Sequence, residues 1–212
     1  MQKFNTIFLD AGGVLFETFV KQDERIQKLM TERGYSNSKI AAAIKKARKE
    51  TPMLFVTSWE EEKQYYETFY GTMAEELGDM SLVNELFYCT HYAGHCELYP
   101  ETIEVLEALR GKYQLGIISN AMPSMEWVFD RLGLRKYFDS ITLSAHAKAA
   151  KPDEGIYQNA LNQVHAMPEE SVFIDDKSEN VQAAASIGMK GWQLDRNKEN
   201  LLELLQRHNL LL

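Results

Sequence analysis

The sequence predicts an α/β fold, a mostly parallel sheet with an all-helical segment inserted after its first strand. Two observations carry this. Short apolar runs that end in polar residues, TIFLD (6–10), YQLGIISN (113–120), DSITLSA (139–145) and SVFIDD (171–176), are separated by stretches with helical spacing. Strands alternating with helices of this length make a parallel sheet covered on both faces. The alternation breaks between about residues 18 and 94, where the chain is charged, helical in spacing and poor in strand signal.

Each element has its own local reason. TIFLD has no polar face, as a strand covered on both sides requires. DERIQKLMTERG, SKIAAAIKKARKE, SWEEEKQYYETFYGTMAEELG and SLVNELFYCTHYAG then read as helices, punctuated by Pro52 and by a cap at Ser58. ETIEVLEALRGK (101–112) places Ile103, Leu106 and Leu109 on one helical face, behind Pro100 and ending near Gly111. After the strand at 139–145, DEGIYQNALNQV (153–164) is helical. NVQAAASIG (180–188) follows the fourth strand as a helix, GMKGWQL (188–194) is a strand, and NKENLLELLQRHNLL (197–211) closes the chain as an amphipathic helix. No internal repeat or low-complexity segment interrupts this order.

Composition bounds the function. At 212 residues and 45% hydrophobic the chain can bury a proper core. A formal net charge of -8 and a pI near 5.2 argue against nonspecific nucleic-acid binding, while leaving a small anionic substrate open, since a few local cations can hold one. No stretch has the apolar length of a membrane span and no leader-like segment precedes the first strand. With Cys89 and Cys96 as the sole cysteines, the expectation is a soluble protein of a reducing compartment, the cytoplasm. Whether it assembles with copies of itself is not legible in the sequence.

Open parallel sheets bind ligands beyond the carboxyl ends of their strands. Asp10, Ser119 with Asn120, Lys151, and Asp175 with Asp176 all fall there. Each has a plain alternative: a turn or helix cap at Asp10, loop residues at Ser119 and Asn120, a solvated lysine before a helix-starting proline at Lys151. The adjacent acids are harder to dismiss, because like charges repel and a cation relieves the repulsion. Together the four sites suggest a phosphate-and-metal pocket. Elsewhere, Trp59, Tyr65, Tyr66 and Tyr70 read as core before they read as a ligand surface, and KKARK (45–49) reads as a solvated face. CTHYAGHC (89–96) gathers zinc-type ligands at a spacing that matches no familiar site, so packing is the better reading.

FLDAGGVL, IISNA, AAKPDEGIY and VFIDDKSEN resemble, in order, the four signatures of the haloacid dehalogenase-like hydrolase superfamily. The resemblance implies a Rossmann-like core over 1–17 and 95–212 and a helical cap over 18–94 that closes over it. It implies a phosphatase that uses Mg²⁺ and a small phosphorylated metabolite, with a sugar phosphate as one candidate. Asp10 would be the nucleophile. Asp10, the backbone carbonyl of Gly12 and Asp176 would hold the metal, with Asp175 a further direct or water-mediated ligand. Lys151 would offset charge, Ser119 and Asn120 would serve the phosphate and its loop, and Gly13 would permit close backbone approach. Lys177, Ser178 and Asn180 would surround this set. The sequence departs from the family at Gly12, where most such phosphatases carry an aspartate as general acid and base, a group worth about 10²–10⁴-fold in rate. Three readings follow: a phosphatase whose leaving group or substrate makes up the loss, a non-catalytic binding or regulatory relative, and a metal-independent 2-haloacid dehalogenase.

Overall fold

TIFL lacks a polar face because it has no solvent side. In the computed structural model of the chain, which describes residues 4–52 and 55–211, it forms β1 (Thr6–Leu9) with every residue buried. In chain order there follow β2 (Phe16–Glu17), α1 (Gln22–Glu32), α2 (Asn37–Glu50), α3 (Trp59–Leu77), α4 (Leu82–Thr90), β3 (Glu97–Leu98) and α5 (Thr102–Leu109). Then come β4 (Gln114–Ser119), α6 (Met125–Arg131), β5 (Ser140–Leu143), α7 (Ser144–Ala147), α8 (Glu154–Val164), β6 (Ser171–Asp175), α9 (Ser178–Ser186), β7 (Lys190–Gln193) and α10 (Leu201–Arg207). The residues group into two compact units, Met1–Glu17 with Glu97–Leu212, and Thr18–Cys96.

The first unit is built on a five-stranded parallel sheet of order β5-β4-β1-β6-β7. Leu9 lies level with Ile117 on one side and Ile174 on the other, so the carboxyl ends of β1, β4 and β6 lie within two residues of one another. The strand order reverses at β1, which opens a crevice at those ends. Beneath it, Ile156, Tyr157, Ala160, Leu161 and Val164 of α8 pack against Phe8, Ile118 and Phe173. Gly116 makes room for this packing, because a Cβ there would lie 2.6 Å from the Phe8 ring. A second, antiparallel pair joins β2 to β3, with Phe16 opposite Leu98 and Glu17 opposite Glu97.

Several boundaries differ from expectation for local reasons. The strand read over 139–145 ends at Leu143, and Ser144 starts a short helix. The helix read from 180 begins at Ser178. The closing helix starts late, at Leu201, because Asn200 and Glu203 form a reciprocal cap there. On α5 the buried face is Thr102, Val105, Leu106 and Leu109, so Leu106 and Leu109 lie on it as expected, whereas Ile103 is 38% exposed and lies off it. Neither α6 nor the β2–β3 pair is expected from the sequence.

The second unit is helical. Ser36 and Ser58 accept the Lys39 and Glu61 N–H groups at the starts of α2 and α3, and Gly78, with a left-handed backbone, ends α3. Its core draws on Ile26, Met30, Ile40, Phe69, Met73 and Leu86. Tyr66 and Tyr70 are buried, as the core reading requires, whereas Trp59 is exposed. The Tyr70 hydroxyl joins Gln22 of α1 to Thr90 of α4, at 2.9 Å from each. In KKARK, Lys46 and Arg48 pair with Glu76 and Asp23. Within CTHYAGHC, His95 Nε2 bonds the Cys89 carbonyl oxygen at 2.8 Å and the buried Cys96 thiol donates to Tyr92. Positions 53 and 54 of the expected insert lie outside the described residues. Among the described residues no helix is long and apolar enough to cross a membrane.

Candidate active site

Strand pairing delivers the acids. The Asp10 N–H donates to the Ile174 carbonyl at 2.9 Å, so the ladder between β1 and β6 continues one residue past the strand and fixes the Asp10 backbone. Its buried carboxylate accepts the Ala11 N–H at 2.7 Å on Oδ1, and the same oxygen lies 2.9 Å from Lys151 Nζ. Lys151 reaches in from the loop before α8. Its ammonium also donates to the Ile118 carbonyl at 2.8 Å and to Asp175 Oδ2 at 2.7 Å. Asn120 holds that loop by a reciprocal pair, accepting the Lys151 N–H at 2.7 Å and donating to the Lys151 carbonyl at 2.8 Å.

The adjacent acids have different surroundings. Asp175, fully buried at the end of β6, accepts from Lys151 Nζ, from the Lys177 N–H at 2.8 Å and from Asn180 Nδ2 at 3.0 and 3.1 Å. Asp176, half-buried, turns toward the loop after Asp10, and a Cβ on Gly13 would lie 2.8 Å from its Oδ2. Gly13 also has φ of +78°, so both its backbone and its contact require glycine. At Gly12, by contrast, a Cβ would meet nothing within 4 Å.

One oxygen from each of Asp10, Asp175 and Asp176 lies within 4.8 Å of the other two. Burial pushes the Asp10 carboxyl above the usual range; Lys151 opposes this and the Asp175 charge adds to it. Asp176 is raised as well, by burial first and then by Asp10 and Asp175. Three carboxylates face one ammonium, and the donors are all hard oxygens. This fits Mg²⁺, which would relieve the repulsion that adds to the effect of burial on the two acids. The cavity above them, of about 260 Å³, is lined by Asp10, Gly12, Glu17, Ser119, Lys151 and Asp176, among others. Ser119, the buried last residue of β4, is thus brought to the same place as the acids.

Two contributors carry no signal in the sequence. Arg196, in the loop after β7, donates from Nε to the Gly13 carbonyl at 3.2 Å, bonds the Val14 carbonyl, pairs with Glu101 and stacks 3.6 Å from the Tyr99 ring centroid. It holds the turn that follows Asp10 from a position 183 residues away. Glu17 is the other; it lines the cavity from β2, a strand too short for periodicity to reveal.

The chain is similar to several known proteins. A glyceraldehyde 3-phosphate phosphatase of Methanothermobacter thermautotrophicus is 34% identical over 94 residues, 43% of this chain and 42% of that protein. The pyrimidine 5'-nucleotidase YjjG of Escherichia coli is 34% identical over 96 residues, 44% of this chain and 42% of that protein. The chain therefore matches somewhat under half the length of these relatives. A solved HAD phosphatase of Thermococcus onnurineus superposes over 97% of this chain and 98% of its own with a TM-score of 0.69; at 21% identity this is a likeness of fold. The model of the haloacid dehalogenase-like hydrolases matches residues 4–188, which takes in every acid of the cluster, Lys151 and the helical insert, and the chain belongs to that family.

Proposed function

We propose that the protein is a Mg²⁺-dependent phosphomonoesterase that hydrolyses a small phosphorylated metabolite, a sugar phosphate being one class, through an aspartyl-phosphate on Asp10. The observation that carries this reading is the Asp10 carboxylate itself. It is buried, ion-paired with Lys151 and grouped with two further acids where three adjacent strands end. The names of the two partly matching relatives, a sugar-phosphate phosphatase and a nucleotidase, support the same reaction class.

Each residue then has a part. The Ala11 N–H and Lys151 fix Asp10 Oδ1, so the carboxylate is presented in one orientation for attack on phosphorus. Asp10, Asp176 and the Gly12 carbonyl would hold Mg²⁺, which when bound offsets charge between the nucleophile and the phosphoryl oxygens. Asp175 has its oxygens engaged by Lys151, Asn180 and the Lys177 N–H, and so acts chiefly by placing Lys151. Ser119 donates to a phosphoryl oxygen, and Asn120 sets the Lys151 loop. We place the protein in the cytoplasm on its sparing use of cysteine.

The test is a screen of small phosphate esters with and without Mg²⁺, run beside 2-haloacids, on the wild type and Asp10→Asn. The expected result is Mg²⁺-dependent phosphate release that the substitution abolishes. Full activity in Asp10→Asn, or metal-independent halide release from a haloacid, would overturn the reading.

A further inference from the structure

Position 12 leaves the leaving oxygen without its usual proton source, and the fold places another carboxyl in the lining of the same cavity. The chain leaves β1, turns through residues 11–15 and comes back. The Gly13 N–H donates to the Phe16 carbonyl at 2.9 Å, and Gly12 forms a bridge with Phe16. Glu17 is therefore the next residue along from the one that pairs with Gly12. Successive strand residues face opposite ways. Phe16 is buried in the core, so Glu17 points the other way, into the cavity that Asp10, Ser119, Lys151 and Asp176 also line.

We propose that Glu17 is the general acid and base of this site, in the role the residue two after the nucleophile usually fills. This rests on the phosphomonoesterase reading above. Of the acids lining the cavity, Asp10 forms the bond to phosphorus and Asp176 belongs to the metal cluster, which leaves Glu17 for the proton. In the first half-reaction an Asp10 oxygen bonds to phosphorus, the bond from phosphorus to the ester oxygen breaks, and that oxygen takes the Glu17 carboxyl proton to leave as an alcohol. In the second, water attacks phosphorus and gives a proton to the Glu17 carboxylate. The bond from phosphorus to Asp10 breaks, releasing inorganic phosphate and restoring protonated Glu17. A Cβ at Gly12 would meet nothing within 4 Å, so the cavity is left open at that position.

The experiment compares wild type, Glu17→Gln and Glu17→Asp, with Mg²⁺, on p-nitrophenyl phosphate and on an alkyl phosphate. Nitrophenolate leaves without a proton, whereas an alkoxide needs one. In Glu17→Gln, kcat/KM is expected to fall about 10²-fold further for the alkyl ester than for the aryl ester. A burst of nitrophenolate close to one per enzyme should mark phosphoenzyme that water no longer clears. Glu17→Asp, which keeps a carboxyl, should recover part of the alkyl rate. Gly12→Asp added to Glu17→Gln should recover it too, because the added side chain enters open space. Equal losses on both esters without a burst, or no loss on either, would overturn the role of Glu17 while the phosphatase stands. A wild type inactive on both esters would overturn the phosphatase reading and this one with it.

Discussion

At the scale of single residues, neighbours of the same type have unlike roles because their hydrogen bonds differ. Asp175 is fully buried and meets Lys151, Asn180 and the Lys177 N–H, whereas the Asp176 carboxylate, half-buried, faces the Gly13 backbone. Removing the charge of Asp175 strips a buried ammonium of one of its two carboxylate partners and turns an acceptor into a donor opposite other donors. Breaking a buried pair in this way costs about 3–5 kcal/mol. Asp175→Asn should therefore lower the urea midpoint markedly. Asp176→Asn should leave the metal-free fold at least as stable as wild type, since it removes a carboxylate that burial and two like charges disfavour, and should weaken Mg²⁺ binding. Urea unfolding without metal and a Mg²⁺ titration separate the two. Equal destabilisation by both substitutions would refute this division of labour.

At the scale of elements, legibility followed range. Runs such as TIFL and SVFID declare themselves because a strand covered on both faces needs no partner to be recognised. The four polar sites were legible for a related reason: each stands at or just beyond the end of such a run, or in the loop before α8. What escaped depends on distant pairing. β2 and β3 have two residues each and exist only through each other. α6 has helical spacing at Met125, Val128 and Phe129, but over seven residues, too few turns for periodicity to decide. Arg196 and Glu17 were missed because nothing near them in sequence says what they will meet. Caps lie at the other extreme. Ser58 was readable from four residues, and its hydroxyl does accept the Glu61 N–H at 3.2 Å. Ser58→Ala should cost about 1 kcal/mol in urea unfolding, and a Ser58→Asn variant should restore most of it. No change in Ser58→Ala would mean that the Thr57–Glu61 contacts alone hold the start of α3.

At the scale of the whole molecule, a chain of net charge -8 gathers three carboxylates and pairs one lysine with two of them, so the site adds to a repulsion the fold already carries. Asp10 and Asp176 both titrate above their ordinary range in the folded protein, so the folded state holds their protons more tightly than the unfolded chain does. Their contribution to stability is fully present below the unfolded carboxylate range and is lost as pH rises through the raised folded values. Mg²⁺ acts in the opposite sense, because it binds the ionised cluster and competes with those protons. A ligand at 100 times its Kd stabilises the folded state by about 2.7 kcal/mol. The rise in Tm on adding saturating MgCl₂ should therefore be largest at about pH 7.5 and should shrink steadily toward about pH 5, as protons reoccupy the raised carboxyls. Asp176→Asn should flatten that profile, leaving a small rise at every pH. Thermal unfolding of both proteins across this range, with CaCl₂ and NaCl at matched ionic strength, isolates binding from screening. A rise in Tm that is the same at every pH, or that NaCl reproduces, would mean that the ion acts on the acidic surface at large and not on the cluster at the strand ends.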